Sequence, residues 1–172
     1  MKKILYLMGQ IDRTLMFVIK PVVAILSVFV AVLLVVGIFT RSVLEKPVFG
    51  LEELVLLAAM WLYMFGAAIA SRDRSHLSAD FVQVVCSNKS VVRFFHLLAT
   101  VISLIMAILF ARWSFDLMSW SLSKVQTSTV LKIPWYVSQS SLFFGSVLFI
   151  FYLLRDFLND LASFQSRHEI HN

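Results

Sequence analysis

Four long stretches without Asp, Glu, Lys or Arg constrain this chain more than any other feature. They are residues 21–40, 54–71, 94–111 and 133–154. Each has about the length that an α-helix needs to cross a hydrocarbon core roughly 30 Å thick. Backbone polar groups in lipid must be hydrogen-bonded internally, and these stretches do not alternate as barrel strands do. The sequence therefore predicts an all-α integral membrane protein, with one four-helix membrane domain over residues 1–172.

Composition agrees with this class. Apolar residues make up 60% of the chain and the mean hydropathy is +0.87, whereas a soluble domain is usually about 45–50% apolar. The single cysteine, Cys86, excludes an internal disulfide and a multi-cysteine metal site.

The distribution of basic residues predicts the orientation. Ten of the 15 Lys and Arg residues lie before the first stretch, between the second and third, or after the fourth. The positive-inside rule therefore places both termini in the cytoplasm. Asp12 and Arg13 interrupt the early apolar run, which disfavours a cleaved signal peptide.

Two further segments have an amphipathic pattern. In residues 3–19, apolar side chains recur at helical spacing, at Ile4, Met8, Ile11, Leu15 and Val18. This pattern predicts an N-terminal amphipathic helix in the membrane interface, or alternatively a cytoplasmic extension of the first span. After the second span, Leu77, Phe81, Val84 and Val85 among polar residues predict a short amphipathic helix on the cytoplasmic surface.

The spans lack the groups that chemistry or solute binding would need. The nearest acidic residues, Glu52, Glu53 and Asp116, lie at span edges, and paired Gly or Pro residues interrupt no span near its centre. His96 stands alone, whereas a haem between helices typically needs two axial ligands. Nucleophile-elbow, phosphate-loop and zinc signatures are absent from the sequence. We therefore expect no enzymatic activity, no cofactor or metal, and no nucleic-acid partner.

Small residues recur along three of the spans and predict close helix contacts. The rows are Ala99, Ser103, Ala107 and Ala111 in the third span, Gly66 and Ala70 in the second, and Ser138, Ser141 and Gly145 in the fourth. Packing within the chain and docking on a larger membrane partner both fit this pattern.

One segment carries a family resemblance. Residues 49–80 read FGLEELVLLAAMWLYMFGAAIASRDRSHLSAD. An acidic pair enters the span, and a Trp, a Gly among small residues, a basic residue, a His-hydrophobic pair and an acidic residue follow. These are Glu52, Glu53, Trp61, Gly66, Arg72, His76, Leu77 and Asp80. The segment resembles the small, DctQ-like membrane subunit of tripartite ATP-independent periplasmic (TRAP) transporters, although residues 73–75 depart from the glycine often found before the histidine.

The resemblance implies a function. A small subunit of this kind is a non-catalytic scaffold in the bacterial inner membrane, surrounded by lipids. Its partners are a large elevator-type membrane subunit and a periplasmic substrate-binding protein. Uptake is driven by an ion gradient, usually sodium, and the cargo is an organic acid, with sialic acid as the candidate here. Two alternatives remain at this point: an independent exporter, which would need a carboxylate within a span, and a redox-enzyme anchor, which would need paired histidines.

Each motif residue has a predicted role and a simpler alternative. Glu52 and Glu53 anchor the helix at the membrane edge or contact a partner. Trp61 packs between helices. Arg72, Arg74 and His76 bind anionic lipid headgroups, and His76 alternatively caps or braces the loop helix. In the outer segment 112–132, Lys124 and Lys132 are the candidate contacts for the binding protein.

Overall fold

The computed structural model describes residues 2–46, 48–73 and 89–168. This part of the chain contains four helices and no strand: α1 (Lys2–Ser42), α2 (Leu51–Arg72), α3 (Lys89–Lys124) and α4 (Trp135–His168). Each helix has a segment long and apolar enough to cross a membrane, namely Tyr6–Ser42, Leu51–Arg72, Leu97–Lys124 and Trp135–Asn159. The prediction of an all-α membrane protein with four spanning helices is confirmed.

Local sequence explains where α2 and α4 begin. Gly50 precedes α2 with φ 85°, a conformation that glycine adopts without steric cost. Glu52 and Glu53 occupy the first turn, where the helix dipole favours negative charge. Pro134 directly precedes α4, so its missing N–H removes no hydrogen bond from the helix interior.

Residues 3–19 do not form a separate helix. α1 runs without interruption over 41 residues, with Pro21 inside it, so it is about 60 Å long at 1.5 Å per residue. The structure therefore agrees with the alternative in which this segment extends the first span. Its position relative to the lipid stays a prediction.

The helices pack in the order α1, α2, α4, α3. α4 packs against both α2 and α3, and α2 also packs against α1. α1 meets α4 over a short region, and among the described helices α3 contacts α4 alone. The arrangement is therefore an open row in which α2 and α4 are central and α1 and α3 are peripheral.

The α3–α4 contact follows a heptad pattern. A row of α3 residues that are at least partly buried steps by four and three positions, at Thr100, Leu104, Ala107, Ala111, Ser114, Met118 and Ser121. This mean step of 3.5 is that of helices that wind around each other with a left-handed twist. Residues spaced by four along a helix turn progressively away from a contact line that has a mean step of 3.5. Ala107 is therefore buried, whereas Ala99 and Ser103 of the same predicted row are exposed.

The peripheral helices expose wide apolar faces. No residue is buried in the most apolar window of α1, in the Tyr6–Ser42 segment. Its exposed side chains include Ile25, Val28, Val32, Val35 and Ile38, and those of α3 include Ile102, Ile105, Met106 and Ile108. Such faces are suited to lipid or to another membrane protein.

Candidate functional site

Two polar clusters join the helices at the two ends of α2. The first, the Asp12 cluster, comprises Asp12 of α1, Arg72 of α2, and Tyr152, Arg155 and Asp156 of α4. The second, the Glu53 clamp, comprises Glu53 and the connection between α3 and α4. Since α2 runs from one cluster to the other, the two ends of the molecule are called here the Asp12 end and the Glu53 end.

The centre of the Asp12 cluster is a bidentate ion pair between α1 and α2. Arg72 donates from Nε to Asp12 Oδ1 at 2.7 Å and from Nη2 to Asp12 Oδ2 at 2.9 Å. The side chain of Asp12 is 12% exposed and that of Arg72 is 27% exposed. Arg72 Nη1 also donates to Asp73 Oδ1 at 3.0 Å. The planar guanidinium fits a carboxylate in this geometry, which makes the pair stronger than a single contact.

Arg155 connects the same cluster to α4. Its Nη1 lies 3.8 Å from Asp12 Oδ2, so one carboxylate faces two guanidinium groups. Its Nη2 donates to the backbone carbonyl oxygen of Arg72 at 2.8 Å, and so satisfies a carbonyl in the last turn of α2. Arg155 also pairs with Asp156 at 3.0 Å and lies 5.3 Å above the ring centre of Tyr152, a cation–π arrangement.

The Asp12 cluster is built to hold helices rather than to bind a solute. Its arginines pair with carboxylates within the chain, and the Tyr152 side chain is fully buried against Arg155. The headgroup role predicted for Arg72 therefore competes with two strong hydrogen bonds to Asp12. Sequence reasoning did not identify Asp12 and Arg155 as partners. The sequence signal that was available is the spacing of Asp12, four residues after Met8 and four before Met16, which places the carboxylate on the same helix face as two apolar side chains. That face is buried in the structure.

The Glu53 clamp holds the α3–α4 connection against the start of α2. Glu53 Oε2 accepts from Ser128 Oγ at 2.7 Å and from Leu131 N at 2.9 Å, and Oε1 accepts from Val130 N at 2.9 Å. Ser128 Oγ in turn accepts from Ile133 N at 3.0 Å. One carboxylate thus satisfies two backbone donors that the turn itself leaves without acceptors.

Gly50 allows this connection to approach α2 closely. A Cβ atom at Gly50 would lie 2.8 Å from Leu131 Cγ, and the residue also has a positive φ. A side chain at this position would therefore displace the connection. Lys132 has φ 57°, and its side chain is exposed, as is that of Lys124.

Glu52 and Glu53 have different environments. They lie about 100° apart around α2. Glu53 faces the α3–α4 connection, whereas Glu52 is exposed and lines an open hollow between α1 and α2. The structure thus separates the two members of the motif, with one carboxylate bonded inside the chain and the other on the surface.

Trp61 packs between α2 and α4. Its Nε1 donates to the carbonyl oxygen of Val137 at 3.2 Å, and its ring stacks on Phe144 with centroids 6.0 Å apart. Phe65 lies 5.3 Å away, one helical turn along α2. The residue therefore serves the contact between α2 and α4.

The glycines of the predicted small-residue rows, Gly145 in α4 and Gly66 in α2, have different surroundings. A Cβ at Gly145 would lie 2.9 Å from Met64 Cβ, so the two helices approach each other closely where α4 has no side chain. A Cβ at Gly66 would have no neighbour within 4 Å. Ser138 and Ser141 are buried. The row in the fourth span is therefore used for packing inside the chain, whereas Gly66 faces space that the described residues leave open.

Several predicted residues lie outside the described part of the chain. They are Arg74, His76, Leu77, Asp80 and the rest of the predicted loop helix, together with the side chain of His96. Among the residues that are described, no group of three or more His, Cys, Asp and Glu side chains could hold a metal ion.

A comparison with protein families decides the class. The family model described as the DctQ component of tripartite ATP-independent periplasmic transporters matches residues 30–163, well over half of the chain. The chain belongs to the DctQ family. No curated protein matches it.

The DctQ match covers the elements that carry the two clusters. It includes all of α2 and α3 and most of α4, and hence the Glu53 clamp, Arg72 and Arg155. It begins after Asp12, which forms the central ion pair of the other cluster. Membership makes the chain a small subunit of a TRAP transporter and not an enzyme.

Proposed function

We propose that this DctQ chain is the fixed scaffold of a three-part uptake system in the bacterial inner membrane. It holds a large elevator-type membrane subunit while that subunit carries an organic acid, and a periplasmic binding protein delivers the cargo. A sodium gradient drives the movement. Both termini, and with them the Asp12 end, lie in the cytoplasm.

One observation supports the scaffold role above the others. The four charge-free stretches leave no Asp, Glu, Lys or Arg at mid-span, and the bidentate ion pair between Asp12 and Arg72 is satisfied between helices at one end. A subunit that carried a charged solute would need polar groups facing a path at membrane depth. This chain uses its buried charges to fix α1, α2 and α4 relative to one another.

The peripheral helices and the Gly66 face of α2 are the proposed surfaces for the large subunit and for lipid. Ala99 and Ser103 of α3 and Gly66 of α2 are small residues that the chain does not use for its own closest helix contacts. Small residues let a second backbone approach, and dispersion forces then favour association in lipid. The cargo and the coupling ion are proposed from the family resemblance, with sialic acid as the first candidate to test.

Reconstitution tests this proposal. We would compare proteoliposomes containing this chain alone, the large subunit alone, and both subunits, with the binding protein and labelled sialic acid outside under a sodium gradient. We expect saturable uptake only with both subunits. A panel of other organic acids identifies the cargo, and removal of sodium tests the coupling ion. Saturable uptake by this chain alone would refute the scaffold role.

The binding protein is proposed to contact the exposed Lys124 and Lys132 at the Glu53 end. Charge reversal at both positions should lower uptake by the complete system and make it less sensitive to salt, because rim charges act mainly by steering association. Assembly of the two membrane subunits should persist. The control is Lys46→Glu, an exposed lysine elsewhere at this end. Unchanged uptake in the Lys124/Lys132 variant would exclude an energetically important contact.

A further inference from the structure

The α1–α2 junction at the Glu53 end has two adjoining hollows of different character. The first has a volume of about 260 Å³ and is lined mainly by apolar side chains and Gly37. The second, about 680 Å³, is lined by several charged side chains and by the α3–α4 connection. Both hollows include Arg41, Val48 and Glu52 in their linings. The combined cleft therefore changes from apolar to charged along its length.

The cleft lies where the hydrophobic spans end. Arg41 directly follows the charge-free stretch 21–40, and Glu52 precedes the stretch 54–71 by two positions. Side chains at such boundaries meet the phosphate and glycerol level of a bilayer. The apolar part of the cleft, near Leu34 and Ile38, is accordingly at the level of acyl chains.

Three of the four charged side chains that line the cleft have no partner among the described residues. Arg41, Glu45 and Glu52 are exposed, and no hydrogen bond or ion pair of their side chains is found among residues 2–46, 48–73 and 89–168. Arg41 and Glu52 line the same hollow without pairing with each other. Glu53, which also lines the second hollow, is already bonded to the α3–α4 connection. Among the described residues, the cleft thus offers one cation and two carboxylates without a partner.

We propose that this cleft, between α1 and α2, binds a phospholipid with an ethanolamine headgroup. One acyl chain lies along Leu34, Gly37 and Ile38, the phosphate accepts hydrogen bonds from Arg41, and the primary ammonium donates to Glu52 and Glu45. An ammonium has three N–H donors for these carboxylates, whereas a choline headgroup has none. A lipid with a net negative charge meets more carboxylates than cations in the cleft, so it binds less well.

Native mass spectrometry of the full chain in detergent tests the lipid site. We would add phosphatidylethanolamine, phosphatidylcholine or phosphatidylglycerol with matched acyl chains and compare bound fractions. We expect phosphatidylethanolamine to bind best. The double variant Arg41→Gln/Glu52→Gln should lower its apparent affinity about tenfold, because two charge-assisted hydrogen bonds become weaker neutral ones.

The control variant also removes one cation and one anion, at a site outside the cleft. Arg112→Gln/Asp116→Asn removes an exposed cation and anion from α3 and should leave lipid binding unchanged. Equal binding of phosphatidylethanolamine by wild type and the Arg41/Glu52 variant would overturn the proposal. So would a preference of the wild-type chain for phosphatidylglycerol or phosphatidylcholine, a result that does not depend on how any variant folds. Since the assay uses this chain alone, its outcome is independent of the transport proposal.

Discussion

Removal of the shared carboxylate in the Asp12 cluster should destabilise the chain more than any surface substitution. Asp12→Asn keeps the shape of the side chain but removes the charge that faces both Arg72 and Arg155. Breaking a fully buried pair costs about 3–5 kcal/mol, whereas a surface pair contributes about 0–1 kcal/mol. The cluster lies between these two cases, because its side chains are 12% exposed for Asp12, 27% for Arg72 and 18% for Arg155. We therefore expect an intermediate loss of about 2 kcal/mol in the free energy of unfolding.

Reversible unfolding in mixed detergent micelles measures this loss. For a chain of this length, about 2 kcal/mol corresponds to a decrease in melting temperature of roughly 4–8 °C. Arg13→Gln is the matched control, because Arg13 is the exposed neighbour of Asp12 and its loss should cost less than about 0.5 kcal/mol. In a double-mutant cycle with Arg72→Gln, the coupling should exceed about 1 kcal/mol. If Asp12→Asn unfolds like wild type, the ion pair does not hold α1 to α2.

Three other predictions concern single positions. Glu53→Gln should increase hydrogen exchange in residues 128–133, because a neutral amide accepts more weakly from the backbone donors. Glu52→Gln should leave the exchange unchanged, and equal exchange in both variants would contradict the clamp. Gly145→Val should destabilise the chain by about 1–3 kcal/mol through overpacking, whereas Gly66→Val should not. Equal unfolding curves of the two variants would contradict the close helix contact at Gly145. Ser103→Leu should leave the isolated chain as stable as wild type but reduce co-purification with the large subunit, and unchanged co-purification would show that this position faces lipid.

The helices were predictable because their signal is strong. Long charge-free stretches leave no alternative to a helix in lipid, so the number and type of elements followed from the sequence. The position of α1 was ambiguous, because an amphipathic pattern in residues 3–19 fits both an interfacial helix and an extension. The structure has a single continuous helix, whose buried face includes Asp12.

The contacts between helices were less predictable. A row of small residues indicates that backbones can approach, but not which neighbour approaches. Gly145 packs against Met64 within the chain, whereas none of the described residues lies within 4 Å of a Cβ at Gly66. The pairing of Asp12 with Arg72 joins residues 60 positions apart. Such a contact depends on which helices are adjacent, and that information is not contained in the pattern of any one span.

A distance measurement across the chain tests most directly whether it is a fixed scaffold. Spin labels are placed at Val43, directly after α1, and at Leu122 of α3, in a Cys86→Ser background. Both positions are exposed and lie at the Glu53 end. In the complex with the large subunit, we predict one narrow distance distribution that does not change with sodium, cargo or the binding protein. A second distance, or a shift when cargo and sodium are added, would show that this chain itself moves during transport and would contradict the account.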